Sequence, residues 1–110
     1  MPLANVFSKI QISRQTLQVI VTDWAKGAEL DTDDVTINVI PEFMQEGMNY
    51  SLLVNLYFRS LWPEDDVVKI QTSLVKALQC NLKTPSDEIL VISCPVQSGH
   101  MVENGDIVKW

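Results

Sequence analysis

The sequence has no cluster of basic residues. Its 8 Lys and Arg are scattered singly among 14 Asp and Glu, for a net charge of −6. Binding to nucleic acid rests on neutralising phosphates with grouped cations, so that class of partner is not expected. Cysteine is scarce, with only Cys80 and Cys94, and His100 is the only histidine. Two thiols do not make a disulfide scaffold, and neither belongs to a C-x-x-C pair. Both are expected to be small buried or half-buried residues. One histidine cannot complete a tetrahedral metal site, so no metal and no cofactor is expected. No apolar run approaches the roughly 18 residues a membrane span needs, and no charged segment followed by an apolar one opens the chain. The reading is of no membrane partner and a cytoplasmic location.

What is present suits one domain. The chain has 110 residues, of which 46% are hydrophobic, more than a disordered segment carries. A domain of this size buries only about two-thirds of its unfolded surface, so association would help it.

The order of elements is strand, helix, strand, and then the same again. Residues 3–11 alternate, with Ala4, Val6 and Ile10 on one side and Leu3, Asn5, Phe7 and Lys9 on the other. Ser13 can cap a helix whose apolar stripe is Leu17, Ile20, Val21, Trp24 and Ala28, with Gly27 as its C-terminal cap. The acidic stretch Glu29–Asp34 reads as a solvated loop; it lacks the spacing of an EF-hand. Val35–Ile40 is β-branched and apolar, a second strand stopped by Pro41. After a connection over 42–49, Tyr50–Arg59 forms a strand with almost no polar face, as strands covered on both sides do. Pro63 suits a first helical turn, and Glu64, Asp65 and Asp66 sit where the helix dipole favours carboxylates. Val67, Ile70, Leu74, Ala77 and Leu78 form the second stripe, and Lys83 and Pro85 mark the exit. Ile89–Cys94 is the fourth strand. Asn104-Gly105 signals a tight hairpin.

The fold class is therefore α+β: one domain over 1–110 with pseudo-repeat halves of about 1–48 and 49–110. A four-stranded sheet carries both helices on one face, and a C-terminal β-hairpin follows. Each half requires a right-handed parallel crossover. Two helices cover one face of such a sheet, and the apolar strands require something over the other. Further copies of the chain are the natural cover. An α+β fold of ferredoxin-like topology, monomeric, is the competing architecture.

Pro2 begins the first strand. The helix after Ser13 leads through a short loop into VTINVIP, and a second β-α-β half follows. In these features the sequence resembles the tautomerase superfamily, which includes 4-oxalocrotonate tautomerase and macrophage migration inhibitory factor. It is also similar to a bacterial branch of that superfamily without an established substrate. Members of that branch begin Met-Pro, carry an aromatic-Phe pair, here Tyr57-Phe58, and end with a Gly turn and an aromatic residue, here Asn104-Gly105 and Trp110. The resemblance implies a homotrimer in which the initiator Met is removed. The secondary amine of Pro2 would then be the general base for keto-enol isomerisation of a small carbonyl or enol acid. A free α-amino group titrates near 7.7–8.0, and an apolar pocket or a neighbouring cation brings it closer to neutrality. While Met1 remains, the Pro2 nitrogen is an amide and no base.

The family's helper cations are only partly matched. Arg14 lies a few positions from the arginine that follows the family's first strand. The arginine of the second strand falls near Ile37 or Asn38, and the lysine before that strand near Glu29 or Leu30, with Lys26 a turn away. Arg14 and Arg59, with Tyr57, are the candidate substrate-binding residues. The two tyrosines also suit core or interface positions, and Trp110 suits a buried contact between subunits. His100 has no Ser-His-Asp arrangement around it. A noncatalytic trimeric binding or scaffold protein of the same fold is the alternative function.

Overall fold

The computed structural model describes residues 1–110. The chain forms β1 (Leu3–Ser8), α1 (Arg14–Gly27), β2 (Thr36–Ile40), β3 (Leu52–Arg59), α2 (Glu64–Leu82), β4 (Ile89–Val96) and a hairpin of β5 (Met101–Glu103) and β6 (Asp106–Val108). The main sheet runs β2-β1-β3-β4, and the hairpin is a separate two-stranded sheet. β1 pairs parallel to β2 and β3 parallel to β4, while β1 and β3 join the halves antiparallel. Each helix thus links two directly paired strands. The ferredoxin-like alternative, a split βαβ, is excluded.

Alternation decides the faces. Ala4, Val6, Ile37, Leu52, Val54, Leu56 and Phe58 turn inward and meet Ile20, Trp24, Ile70, Leu74 and Leu78 of the helices. Each fully buried aliphatic side chain contributes about 1.5–3 kcal/mol. The opposite face carries rows set by register. Thr36, Leu3, Tyr57 and Cys94 form one; Asn38, Asn5, Asn55 and Ile92 form the next. In the second row the Asn38 amide donates to Asn5 Oδ1 at 3.0 Å. Phe7 of the third row meets Phe43 from the β2–β3 connection edge to face at 5.8 Å. No helix covers this face, and Ile92 is 47% exposed on it.

Several boundaries differ from the sequence reading, each for a local reason. The first strand stops at Ser8, not residue 11, because Ser8 Oγ accepts from Ile10 N at 3.1 Å and donates to Ile10 O at 2.6 Å, bending the chain. The third strand starts at Leu52 rather than Tyr50, whose amide bonds the Gln45 side chain instead. Pro63 stands just before α2, extended at φ −60° and ψ 152°, and the helix begins with the three acids. The fourth strand continues past Cys94 to Val96, through Pro95. β4 pairs only with β3, and an edge strand tolerates a residue without an N–H. Ser13 caps α1 as expected, accepting from Thr16 N at 3.1 Å. Asn104 and Gly105 both take positive φ, which is the tight-turn geometry. The acidic loop holds a single exposed 3-10 turn at Thr32–Asp34.

Gly27 is not a cap. Ala28 ends α1 in right-handed geometry, and the left-handed residue is Glu29, at φ 60°. Gly27 instead marks where the helices touch: a Cβ built there would lie 2.9 Å from Ser73 Cβ. Gly27→Ala is therefore expected to destabilise by about 1–3 kcal/mol despite alanine's better helix propensity. Adding Ser73→Gly should restore most of that loss in urea unfolding; an unchanged double variant would refute the contact.

Cys80 was expected at least half-buried, and it is exposed, because Leu74, Ala77 and Leu78 take the core-facing positions of α2. Cys94 is half-buried on the open face. No helix is long and apolar enough to cross a membrane.

Candidate functional site

Pro2 is fully buried at the entrance of β1, and its carbonyl accepts from Thr36 N at 3.1 Å. β1 and β3 run antiparallel with Leu3 opposite Tyr57, so the same register carried two residues outward sets Met1 beside Arg59. Tyr57 and Arg59 share the open face and are half-buried. Sequence order alone separates Pro2 from these two by half the chain; strand pairing brings them to one end of the sheet.

The electrostatics agree with that placement. Burial, and then the Arg59 guanidinium, lower the Met1 ammonium below its ordinary value of 8.0; Asp34 and Glu103 pull weakly the other way. The folded chain therefore holds this proton less tightly than the unfolded chain. Stability should rise with pH between the lowered folded value and about 8.0, and the contribution is lost as pH falls through that window. Comparing melting temperatures of the Met1-bearing chain and its Nα-acetylated form across pH 6–9 isolates the effect. An equal slope in both would refute it.

Arg59 has no acidic partner. Its Cζ lies 5.2 Å from the centre of the Trp110 ring, within cation-π range, and its Nε is buried without a hydrogen-bond partner. Trp110 in turn donates from Nε1 to Ser60 Oγ at 3.2 Å and from its backbone N–H to Ser98 Oγ at 2.8 Å. Trp110 packs on its own chain, beside Arg59. Neither Trp110 nor Ser60 was among the sequence candidates. No local pattern announces a contact between a strand end and a residue beyond the hairpin.

Arg14 is not part of this cluster. It opens α1, beyond the far end of β1, and six strand residues span about 20 Å. It lines an outer cleft of about 310 Å³ with Leu17, Gln18, Val21, Thr22, Thr32 and Ile37. Two other clefts lie among the helices. One, of about 320 Å³, is formed by residues including Leu30, Leu61 and Trp62 and is flanked by the Lys69–Glu29 ion pair at 3.0 Å. The other, of about 420 Å³, has Cys80, Lys76 and Asp23 in its lining. None of the three contains Pro2, Tyr57 or Arg59. His, Cys, Asp and Glu nowhere gather in a group of three that would hold a metal ion.

The arrangement offers a strand-entry nitrogen, one cation with an unpartnered donor and a phenol, with Asp34 and Glu103 in electrostatic reach of the chain's start. No protein-family model matches the sequence, and no curated relative does. Solved structures do match in shape. A fused 4-OT, wild type, an asymmetric trimer, superposes with a TM-score of 0.79 at 9% identity, covering 96% of this chain and 94% of that one. Pt0534 inactivated by 2-oxo-3-pentynoate superposes at 0.72 and 12% identity, over 96% and 94%. A macrophage migration inhibitory factor homologue from Prochlorococcus marinus superposes at 0.69 and 15% identity, over 96% and 98%. Across nearly its whole length, the chain therefore has the fold of the tautomerase and migration inhibitory factor superfamily, with both β-α-β units in one polypeptide.

Proposed function

We propose that the protein is a tautomerase acting on a small carbonyl or enol acid, with Pro2 as general base once Met1 has been removed. The observation that carries this is the placement of Pro2: buried, at the entrance of a central strand, with Arg59 the cation felt at the chain's start. The neutral secondary amine would take a proton from a carbon next to the substrate carbonyl. That C–H pair becomes the enolate double bond, and the carbonyl pair moves to oxygen. The resulting ammonium returns its proton to oxygen or to another carbon, so nothing is consumed. Arg59 would hold carboxylate or enolate oxygen, and the Tyr57 hydroxyl would donate a further hydrogen bond.

A homotrimer completes the reading. The uncovered sheet face, which carries Tyr57 and Arg59, calls for cover from other copies, and the fused 4-OT match is itself a trimer. Arg14, remote from Pro2 in its own chain, would join a site only from a neighbouring copy. The alternative of a noncatalytic binding or scaffold protein gains no specific support from the geometry.

The deciding experiment begins with the intact mass of natively expressed protein, which reports whether Met1 is gone, and sedimentation, which should give the mass of three chains. Ketonisation of phenylenolpyruvate and of 2-hydroxymuconate is then compared for wild type and Pro2→Ala. Equal rates would end the proposal for that substrate class.

A further inference from the structure

An arginine on a sheet face with no acid to hold it would ordinarily sample many rotamers. Arg59 has instead a neighbour from distant sequence that is itself held in place. The Trp110 ring lies 5.2 Å from its Cζ, Ser60 Oγ holds Trp110 Nε1, and Ser98 Oγ holds the Trp110 backbone. The ring gives the guanidinium a cation-π contact but no lone pair for its N–H groups, and Nε is buried with no acceptor. A buried donor left unpaired costs about 1–3 kcal/mol, and a carboxylate presenting two oxygens in one plane is its natural complement.

We propose that Trp110 is a positioning residue that, tied down by Ser60 and Ser98, holds the Arg59 guanidinium, its Nε unpaired, for one carboxylate of the ligand. The role of Arg59 as the anion-holding group rests on the proposed tautomerase reading; the dependence of that group on Trp110 goes beyond it. The site then selects anionic oxo acids over their amides. Its affinity is set by a residue that does not itself touch the carboxylate.

The test measures binding rather than turnover, with oxalate as the probe and oxamide as its uncharged counterpart. Resonances of Arg59 Nε–H and the Trp110 indole N–H, the latter assigned with Trp110→Phe, are followed during titration. Oxalate is expected to move Arg59 Nε–H, and oxamide is not. Trp110→Ala should weaken oxalate about three- to thirty-fold. Trp110→Phe, which keeps an aromatic ring but loses the Ser60 hydrogen bond, should bind oxalate more tightly than Trp110→Ala and less tightly than wild type, and Arg59→Met should abolish binding. Melting temperatures confirm that each variant is folded. If Trp110→Ala does not fold, Ser60→Ala, which removes only the indole's acceptor, should weaken oxalate measurably while leaving the ring in place. A purely structural Trp110 would lower the melting temperature and leave oxalate affinity unchanged, and that result overturns the proposal. So does an Arg59 Nε–H that oxalate leaves unmoved, or a Trp110→Phe variant as weak as Trp110→Ala. Should these binding results hold while Pro2→Ala turns over substrate at the wild-type rate, the clamp stands and the tautomerase reading falls.

Discussion

Pro2→Ala, prepared without Met1, should ketonise phenylenolpyruvate at least about 100-fold more slowly than wild type, the usual contribution of a positioned acid-base group. The alanine variant still carries an α-amine, so the loss tests geometry as well as basicity. Proline's ring fixes φ near −65° and points the nitrogen lone pair in one direction. An alanine amine rotates about that bond, and a displacement of about 1 Å at the reacting atom can cost about 100-fold. A second arm uses protein that keeps Met1. There the Pro2 nitrogen is an amide without a basic lone pair, and turnover should be absent whichever residue occupies position 2. Wild-type rates in the Met1-bearing chain would move the chemistry away from Pro2 altogether.

The other large effect is on stability. Trp24→Ala should cost about 3–5 kcal/mol in urea unfolding, a major share of the roughly 5–15 kcal/mol that holds a domain folded. Trp24 is fully buried in the seam between the helices and the sheet, and its indole N–H donates to Ile70 O at 3.0 Å, fastening α1 to α2. The loss should come mainly from the cavity. Ile70 O also receives the Ser73 hydroxyl at 3.3 Å, so removing the indole does not leave that carbonyl bare. Trp24→Phe is accordingly expected to lose less than half as much as the alanine variant. A cost below about 1 kcal/mol for Trp24→Ala would show that the seam repacks around the gap.

The sequence carried the architecture because hydrophobic periodicity is set within each element. The alternation of Ala4 and Val6, and the stripes through Ile20 and Trp24 and through Ile70, Leu74 and Leu78, follow from which face each element buries. What it could not carry were contacts between elements. Gly27 reads as a cap from its place near a helix end, and only the second helix reveals that Ser73 is the reason for it. Ser8 ends its strand through bonds to Ile10 that an alternation count cannot sense. Of the candidate site, the strand-entry Pro2, the strand-end Arg59 and Tyr57 two residues before it were legible. Their convergence depends on the β1–β3 register, and the Trp110 contact depends on where the hairpin lies. Arg14 looked similar in kind to Arg59, yet the direction of β1 carries it to the opposite end.

Chain starts usually fray, and a reactive group placed on one would be expected to wander. Here the first strand is an inner strand with neighbours on both sides, and the Pro2 carbonyl is already pinned by the Thr36 amide. Clipping the preceding methionine leaves that pin in place. The newly exposed amine would be born immobile, its aim settled during folding rather than at each encounter with a ligand.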